Sequence, residues 1–229
     1  MNWQDFWNSD TPIYVSERHK DLHYRLIARD IIALIPSREA HVLDYGCGEA
    51  LSADRVAARC ARLYLCDAAP AVRARLAERF RNIANIQVLA AEGMEQLPDE
   101  QLDLIVVNSV VQYLSLDELR ALLKNARAKL KRDGRLVVAD VIPADQSPVA
   151  DAAALLSFAG RGGFLGAAIV GLARTAVSDY RRLRSEVGLA QYDEPDMLDI
   201  LADSGFVGER RSHNLGHNQR RMTFVARPA

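Results

Sequence analysis

The sequence predicts an α/β protein: a mostly parallel sheet with an antiparallel final strand, helices on both faces, and a helical insertion after the fifth strand. Three observations carry this. Strand-sized apolar runs alternate with segments of helical period between residues 41 and 141. The run 102–107 is nearly continuous in apolar residues, as in a strand covered on both faces. The last two strand-like runs, 206–214 and 220–226, flank Leu215-Gly216-His217-Asn218, which is turn chemistry and predicts an antiparallel pair.

Each element has its own signal. Trp3, Phe6 and Trp7 fall at helical spacing and predict a short N-terminal helix. Leu22, Leu26, Ile27, Ile31, Leu34 and Ile35 predict a longer helix over 16–35, with Ser16 as N-cap and Pro36 after its end. Strands are expected at 41–44, 63–66, 86–89 and 102–107, and helices at 52–59, 69–80 and 116–130. Asp133-Gly134 is expected to turn the chain into a fifth strand over 135–141. The rhythm breaks after Pro143, where 144–191 reads as a helical insertion rich in Ala, Gly and Leu. Glu194-Pro195 then opens a further helix with proline in its first turn.

Composition bounds the function. The chain has 229 residues, 49% hydrophobic and 26% charged, enough to bury a full core without disulfides or a structural metal. The formal net charge of -1 gives no global basic excess, so no nucleic-acid partner is expected. Arg210, Arg211, Arg220, Arg221 and Arg227 nevertheless crowd the end of the chain against Glu209. Cys47, Cys60 and Cys66 are odd in number and lack CxxC spacing, which argues against a disulfide framework or a zinc site. Residues 1–10 hold two acids, no Lys or Arg and no apolar run, so they do not read as a secretory signal. No apolar stretch is long enough to span a bilayer. The expected location is the cytoplasm.

The main chemical signal is Val42-Leu43-Asp44-Tyr45-Gly46-Cys47-Gly48-Glu49-Ala50, a strand feeding a glycine turn. Such a turn lets backbone approach a ligand closely and aims N–H groups at it. About twenty residues on, Asp67 ends the second strand, where a carboxylate reaches ribose hydroxyls in nucleotide-binding α/β folds. This segment resembles the first two motifs of the class I S-adenosylmethionine-dependent methyltransferases, which have a Rossmann-like fold. The family pattern acid-x-Gly-x-Gly-x-Gly/Ala is met by Asp44, Gly46, Gly48 and Ala50, and the resemblance covers 42–141. It implies that Asp44 serves the methionine amino group of S-adenosyl-L-methionine and that Gly46 and Gly48 pass its methionine portion and sugar. Asp67 would take the ribose hydroxyls, and Ala68 would touch the adenine face. Ala91-Glu92-Gly93-Met94 resembles the family's adenine segment, with the acid one place early. Gly93 stands where that acid would fall, and the Met94 N–H is left to meet the ring.

The alternatives weigh less. A dinucleotide site wants a third glycine where Leu51 stands, and Asp44 would face a pyrophosphate. The glycines could also serve only a tight turn. In the family the end of the fourth strand lines the floor beneath the methyl group, which points to Asn108 and Tyr113. The histidine pair many relatives carry near Gln112 and Tyr113 is absent, as is the Asn-Pro-Pro-aromatic motif of DNA base methylation. The plain reading of Tyr113 is a helix-start residue packed on the core.

Methyl transfer is an in-line displacement in which the protein mainly supplies alignment, and a base is needed only where the acceptor must lose a proton. Tyr14, His19, His23 and Tyr113 are the catalytic candidates, and Arg18 is a further residue placed to meet the cofactor carboxylate. His19 and His23 have metal-ligand spacing but no third ligand near in sequence, so no metal is expected. His217 reads as a turn residue.

The expected organisation is a single domain over 1–229. It has a helical cap (1–36), a cofactor-binding core (37–143), a helical insertion or lid (144–191), and a final helix and strand pair (192–229). Residues 162–173 carry no charge, and Gly163, Ala167 and Gly171 are expected on one stripe of one helix, followed by Arg174, Arg181, Arg182 and Arg184. That pattern fits a lid over an apolar acceptor such as a lipid, quinone or polyketide-like molecule. It equally fits peripheral membrane contact through 158–184, or a homodimer surface. A non-catalytic S-adenosylmethionine-binding protein and a protein or RNA methyltransferase stay open as other functions.

Overall fold

The computed structural model describes residues 14–175 and 188–229. The expected helix around Trp3, Phe6 and Trp7, and the arginines at 181, 182 and 184, lie outside the described residues.

Helix α1 (Glu17–Ile32) opens the described chain, with the Ser16 hydroxyl accepting the His19 N–H at 3.1 Å as an N-cap. It stops three residues short of the expected end, and Leu34 and Ile35 continue in tightened turns onto the core. The elements β1 (His41–Tyr45), α2 (Ala53–Ala57), β2 (Arg62–Cys66), α3 (Pro70–Phe80), β3 (Ile86–Leu89) and β4 (Leu102–Asn108) then alternate as expected. Helix α4 (Leu116–Lys129) starts on a reciprocal capping box. Ser115 accepts the Glu118 N–H, and the Glu118 carboxylate accepts the Ser115 N–H at 2.7 Å.

Strand β5 (Leu130–Val141) follows α4 without a separate turn, which corrects the expectation at Asp133-Gly134. Leu130 pairs with Leu102 and Arg135 with Leu104, so the four residues between bulge out of the ladder. The bulge needs Gly134, whose absent Cβ would stand 2.9 Å from the Leu102 carbonyl oxygen. Helices α5 (Pro148–Gly162) and α6 (Leu165–Thr175) form the insertion, and α7 (Glu194–Asp203), β6 (Phe206–Arg210) and β7 (Met222–Pro228) close the chain.

The sheet has seven strands in the order β3-β2-β1-β4-β5-β7-β6. Strands β1 to β5 are parallel, while β7 is antiparallel to both β5 and β6. Alternate residues face opposite layers. Val42, Leu104, Val106 and Val137 pack under α1, α2 and α3, while Leu43, Ile105, Val107 and Val138 pack under α4 and α7. Two covered faces explain why β4 is apolar at nearly every position.

Among the described residues the insertion holds two helices, parted at Gly163. Gly163 takes φ +71° as the left-handed C-cap of α5, so it does not share a stripe with Ala167 and Gly171. Gly171 does allow the close approach its size suggested, though to α1's leading residue, since a Cβ there would lie 2.2 Å from Val15 Cγ1. Arg18 also hydrogen-bonds the Gly162 carbonyl, and Ala159, Phe164 and Ala168 form a small core with Val15 and Leu22. The insertion is thus anchored to α1.

Replacing the α4 cap tests the local reading. Ser115→Ala removes the acceptor for the Glu118 N–H and the hydroxyl donor to the Glu118 carboxylate, and is expected to cost about 1 kcal/mol of stability in urea denaturation.

Candidate active site

The chain runs from β1 outward to β3, then crosses back to β4 on the other side of β1. At that switch point the carboxyl ends of β1 and β4 open a crevice, the place where α/β sheets bind ligands. The loop after β1 turns on Gly46 (φ +71°) and Gly48 (φ +56°). A Cβ on Gly46 would meet Val110 Cγ2 at 2.3 Å, so glycine is required by packing as well as by φ. The Gly46 and Cys47 N–H groups both donate to the Cys66 carbonyl, at 2.7 and 3.1 Å. Asp67 accepts the Gly48 N–H and the Ala69 N–H, each at 2.9 Å, and so ties the loop after β1 to the loop after β2. Arg73 braces the backbone there through the Asp67 and Ala68 carbonyls.

Asp44, near the end of β1, is half-buried, and no group among the described residues hydrogen-bonds its carboxylate. Burial, then the nearby Asp67 charge, pushes its pKa up to about 7. Asp67 is also raised by burial, against the lowering effect of its two backbone donors.

Both carboxylates line one cavity of about 1890 Å³. Gly46, Gly48, Ala68, Met94 and Asn108 lie on its wall, as do Tyr14, His19, His23 and Tyr113. Gly93 is not on the wall, whereas its neighbour Glu92 is. Asn108 donates to the Ser109 hydroxyl at 3.3 Å and leaves its own buried carbonyl oxygen without a partner. Gln112, also on the wall, has a buried amide oxygen in the same condition. Two carboxylates and orphaned amide oxygens around one space suit a ligand with an amino group and hydroxyls. S-adenosylmethionine is such a ligand.

The remaining wall was not legible from the sequence. The Ser109 hydroxyl donates to Asp140 at 2.7 Å, Arg221 pairs with Asp140 at 2.8 Å and with Asp151 at 3.3 Å, and Asn218 donates to Asp151 at 2.9 Å. Ser109 and Asp140 both have positive φ, 58° and 61°, at the ends of adjacent strands. His217 joins His19 and His23, with ring centroids 6.2 to 6.5 Å apart, and stacks on Phe158 at 4.7 Å.

Residues 43–138 match the methyltransferase domain family. The chain carries that match over less than half of its length. It is 25% identical over 143 residues to nodulation protein S of Sinorhizobium fredii, a match covering 62% of this chain and 63% of that protein. It is 34% identical over 143 residues to a probable non-canonical nonribosomal peptide synthetase of Salinispora arenicola, covering 59% of this chain but 2% of that one. The match thus spans less than two thirds of either relative's length. Among solved structures, magnesium protoporphyrin IX methyltransferase from Synechocystis with bound SAH superposes with a TM-score of 0.61 at 16% identity, covering 99% of this chain and 93% of that one. At that identity the likeness shows the fold.

Around the cavity, charge is distributed unevenly. Burial, then the neighbouring histidines, lowers His19 to about 4 and His23 to about 3. Burial, then its neighbours, pushes Tyr14 upward, and burial pushes Tyr24 up to about 12 against the lowering effect of its hydrogen bonds to Tyr14 and Glu49, so both phenols stay protonated. The Tyr24 hydroxyl accepts the Glu49 N–H at 3.0 Å, pinning the glycine loop to α1. Among the described residues no group of His, Cys, Asp and Glu is placed to hold a metal ion.

Arg221 bridges the core strand β5, through Asp140, and the insertion helix α5, through Asp151. Arg221→Met would leave two part-buried carboxylates without their cation and is expected to cost about 3 kcal/mol. Asp151→Asn keeps a polar side chain for Asn218 and is expected to cost about 1 kcal/mol. Urea denaturation of the two variants checks this order.

Proposed function

We propose that this protein transfers a methyl group from S-adenosylmethionine to a small apolar acceptor. One observation carries the reading. The cavity that holds Asp44, Asp67 and the glycine loop at one side continues to a wall of Val149, Leu155, Ala167, Val170 and Leu172 from the insertion. In this reading Asp44 takes the cationic amino group and Asp67 the ribose hydroxyls. Gly46 and Gly48 admit the methionine portion and sugar, Ala68 and Met94 flank the adenine, and Asn108 offers its orphaned oxygen. Tyr14, His19, His23 and Tyr113 surround the acceptor. Bound S-adenosylmethionine supplies a methyl carbon activated by a sulfonium, so the protein's part is to bind, orient and exclude water. The magnesium protoporphyrin enzyme, which shares the fold, supports a small-molecule acceptor.

Calorimetric titration with S-adenosylhomocysteine tests the cofactor assignment. Wild type is expected to bind in the micromolar range and Asp67→Ala at least tenfold more weakly, about 1.4 kcal/mol. The pH dependence has a definite sign. Asp44 is held protonated in the free protein up to about 7, so affinity for the cationic amino group is expected to rise as pH increases from 5 through 7. Asp44→Asn should flatten that rise. No binding by folded wild type would remove the methyltransferase reading.

The exposed face of α6 suggests where the acceptor comes from. Leu165, Ile169 and Val170 are 45%, 57% and 50% exposed, and Val170 also lines the cavity. No described helix is long and apolar enough to cross a membrane. In the proposed reading this face rests on a lipid surface and admits apolar acceptors from it. Sedimentation with phosphatidylglycerol vesicles is expected to retain wild type and to release Ile169→Glu. Equal recovery in the supernatant would reject the membrane contact alone.

A further inference from the structure

Three histidines face the cavity, and they are not equivalent. His19 is committed, since its Nδ1 accepts the Val15 N–H at 3.4 Å and its ring stacks on Phe164 at 5.0 Å. His23 sits among aromatic rings, with Tyr14 at 5.5 Å and Tyr24 at 5.3 Å, and the charged-state neighbours acting on it are the other two histidines. A proton placed on His23 would meet repulsion without a counter-charge. His217 is different. It sits in the loop between β6 and β7, stacked on Phe158, on the same wall as the Asp140–Arg221–Asp151 chain. No group among the described residues hydrogen-bonds its ring nitrogens, and the half-buried side chain lines the cavity. The loop is held on both sides. The Gly216 N–H donates to Asp30 at 2.9 Å, and the next residue, Asn218, donates to Asp151 at 2.9 Å.

We infer that His217 is the proton acceptor of the reaction and that the methyl acceptor is a phenol-like hydroxyl on a planar ring, a reading that rests on the proposed methyl transfer. A fixed imidazole beside carboxylates is useful only to an acceptor that must lose a proton. A neutral amine needs no base, whereas a hydroxyl must shed its proton as it is methylated. Among hydroxyls the flat ring walls of this cavity select a phenol. His217, backed by Phe158, and the Tyr14 and His23 rings all stand on the cavity wall and give a flat acceptor ring matching faces. In the step, the proton of the acceptor O–H passes to a His217 ring nitrogen. An oxygen lone pair forms the new O–CH3 bond, and the pair of the breaking C–S bond stays on sulfur, giving S-adenosylhomocysteine. Solvent then takes the proton from the imidazolium. Asp140 and Asp151 stabilise that imidazolium while burial, Arg221 and Arg161 oppose it, and His19 and His23, which titrate at about 4 and 3, are neutral when it forms. Burial and the cations win in the resting protein, so His217 titrates below its ordinary 6.5 and is neutral and ready at pH 7.

The test compares two phenols in the release of S-adenosylhomocysteine. 4-Methoxyphenol keeps its proton at neutral pH, whereas 4-nitrophenol has largely lost it. His217→Asn is expected to lower kcat about 100-fold with 4-methoxyphenol and only a few-fold with 4-nitrophenol. Its calorimetric affinity for S-adenosylhomocysteine should match wild type, and His217→Gln should repeat the split. Wild-type kcat with 4-methoxyphenol should fall on acidification through an apparent value below 6.5, and that limb should vanish in the variant. Equal losses with both phenols would reduce His217 to a structural residue and overturn the inference. So would wild type that binds S-adenosylhomocysteine but methylates neither phenol, which leaves the methyltransferase reading standing. Absence of S-adenosylhomocysteine binding overturns both.

Discussion

Strand order reverses beside β1, and the site depends on that reversal. The chain leaves β1 toward β2 and β3, returns to β4 on the other flank, and so separates the loops that follow β1 and β4. Neither loop can cover the crevice between them, and both faces of the sheet are already filled by helices. The crevice therefore has to be closed from elsewhere, by α1 on one side and by α5 and α6 on another. Tyr24 holding the Glu49 N–H, Arg18 holding the Gly162 carbonyl and Gly171 against Val15 are the contacts by which α1 joins loop and insertion. Closure removes water, and removal of water sets the chemistry of every titratable group inside.

Desolvation acts in opposite directions on acids and bases, and the site uses both. It raises Asp44 and Asp67, which keeps a part-buried pair of carboxylates from repelling strongly until a cation arrives. It lowers His19, His23 and His217, so three clustered imidazoles do not repel as cations. Where charge is retained, it is paired. Arg221 is buried yet raised in pKa because Asp140 and Asp151 outweigh its desolvation. The same pairing spans strand and insertion, so closing the cavity and placing the polar wall are one event energetically.

The parallel sheet was legible because its cues are local: period-two burial, glycine turns and caps within a few residues of each other. Asp44, Gly46, Gly48 and Asp67 were legible because a short motif and a fixed spacing bring them together. The turn at Asp133-Gly134 was misread because the same residues suit a bulge, and only the partner strand decides between them. Gly163 was misread because a helical stripe and a left-handed cap use the same small residue. Arg221 looked like one of several arginines near the end of the chain. Its partners stand 81 and 70 residues away, a separation no local pattern encodes. His217 read as turn chemistry for the same reason, since its stacking partner Phe158 belongs to another element.

Backbone strain marks the polar wall. Ser109 and Asp140 hold positive φ without being glycine, each at a cost of about 1–2 kcal/mol. The two residues end neighbouring strands, and the Ser109 hydroxyl binds the Asp140 carboxylate. Asn214 binds Asp140 twice more, accepting its N–H at 3.0 Å and donating to its carboxylate at 3.3 Å. Relaxed extended backbone would carry both side chains along the strand direction and away from Arg221. The left-handed turn swings them instead into the cavity, where they meet the loop bearing His217 and Asn218. Glycine at either position would relieve the strain but remove the hydroxyl or the carboxylate. The chain accepts the conformational cost to keep the functional group, which is the reverse of the choice made at Gly46 and Gly48, where backbone approach is needed and a side chain would obstruct it.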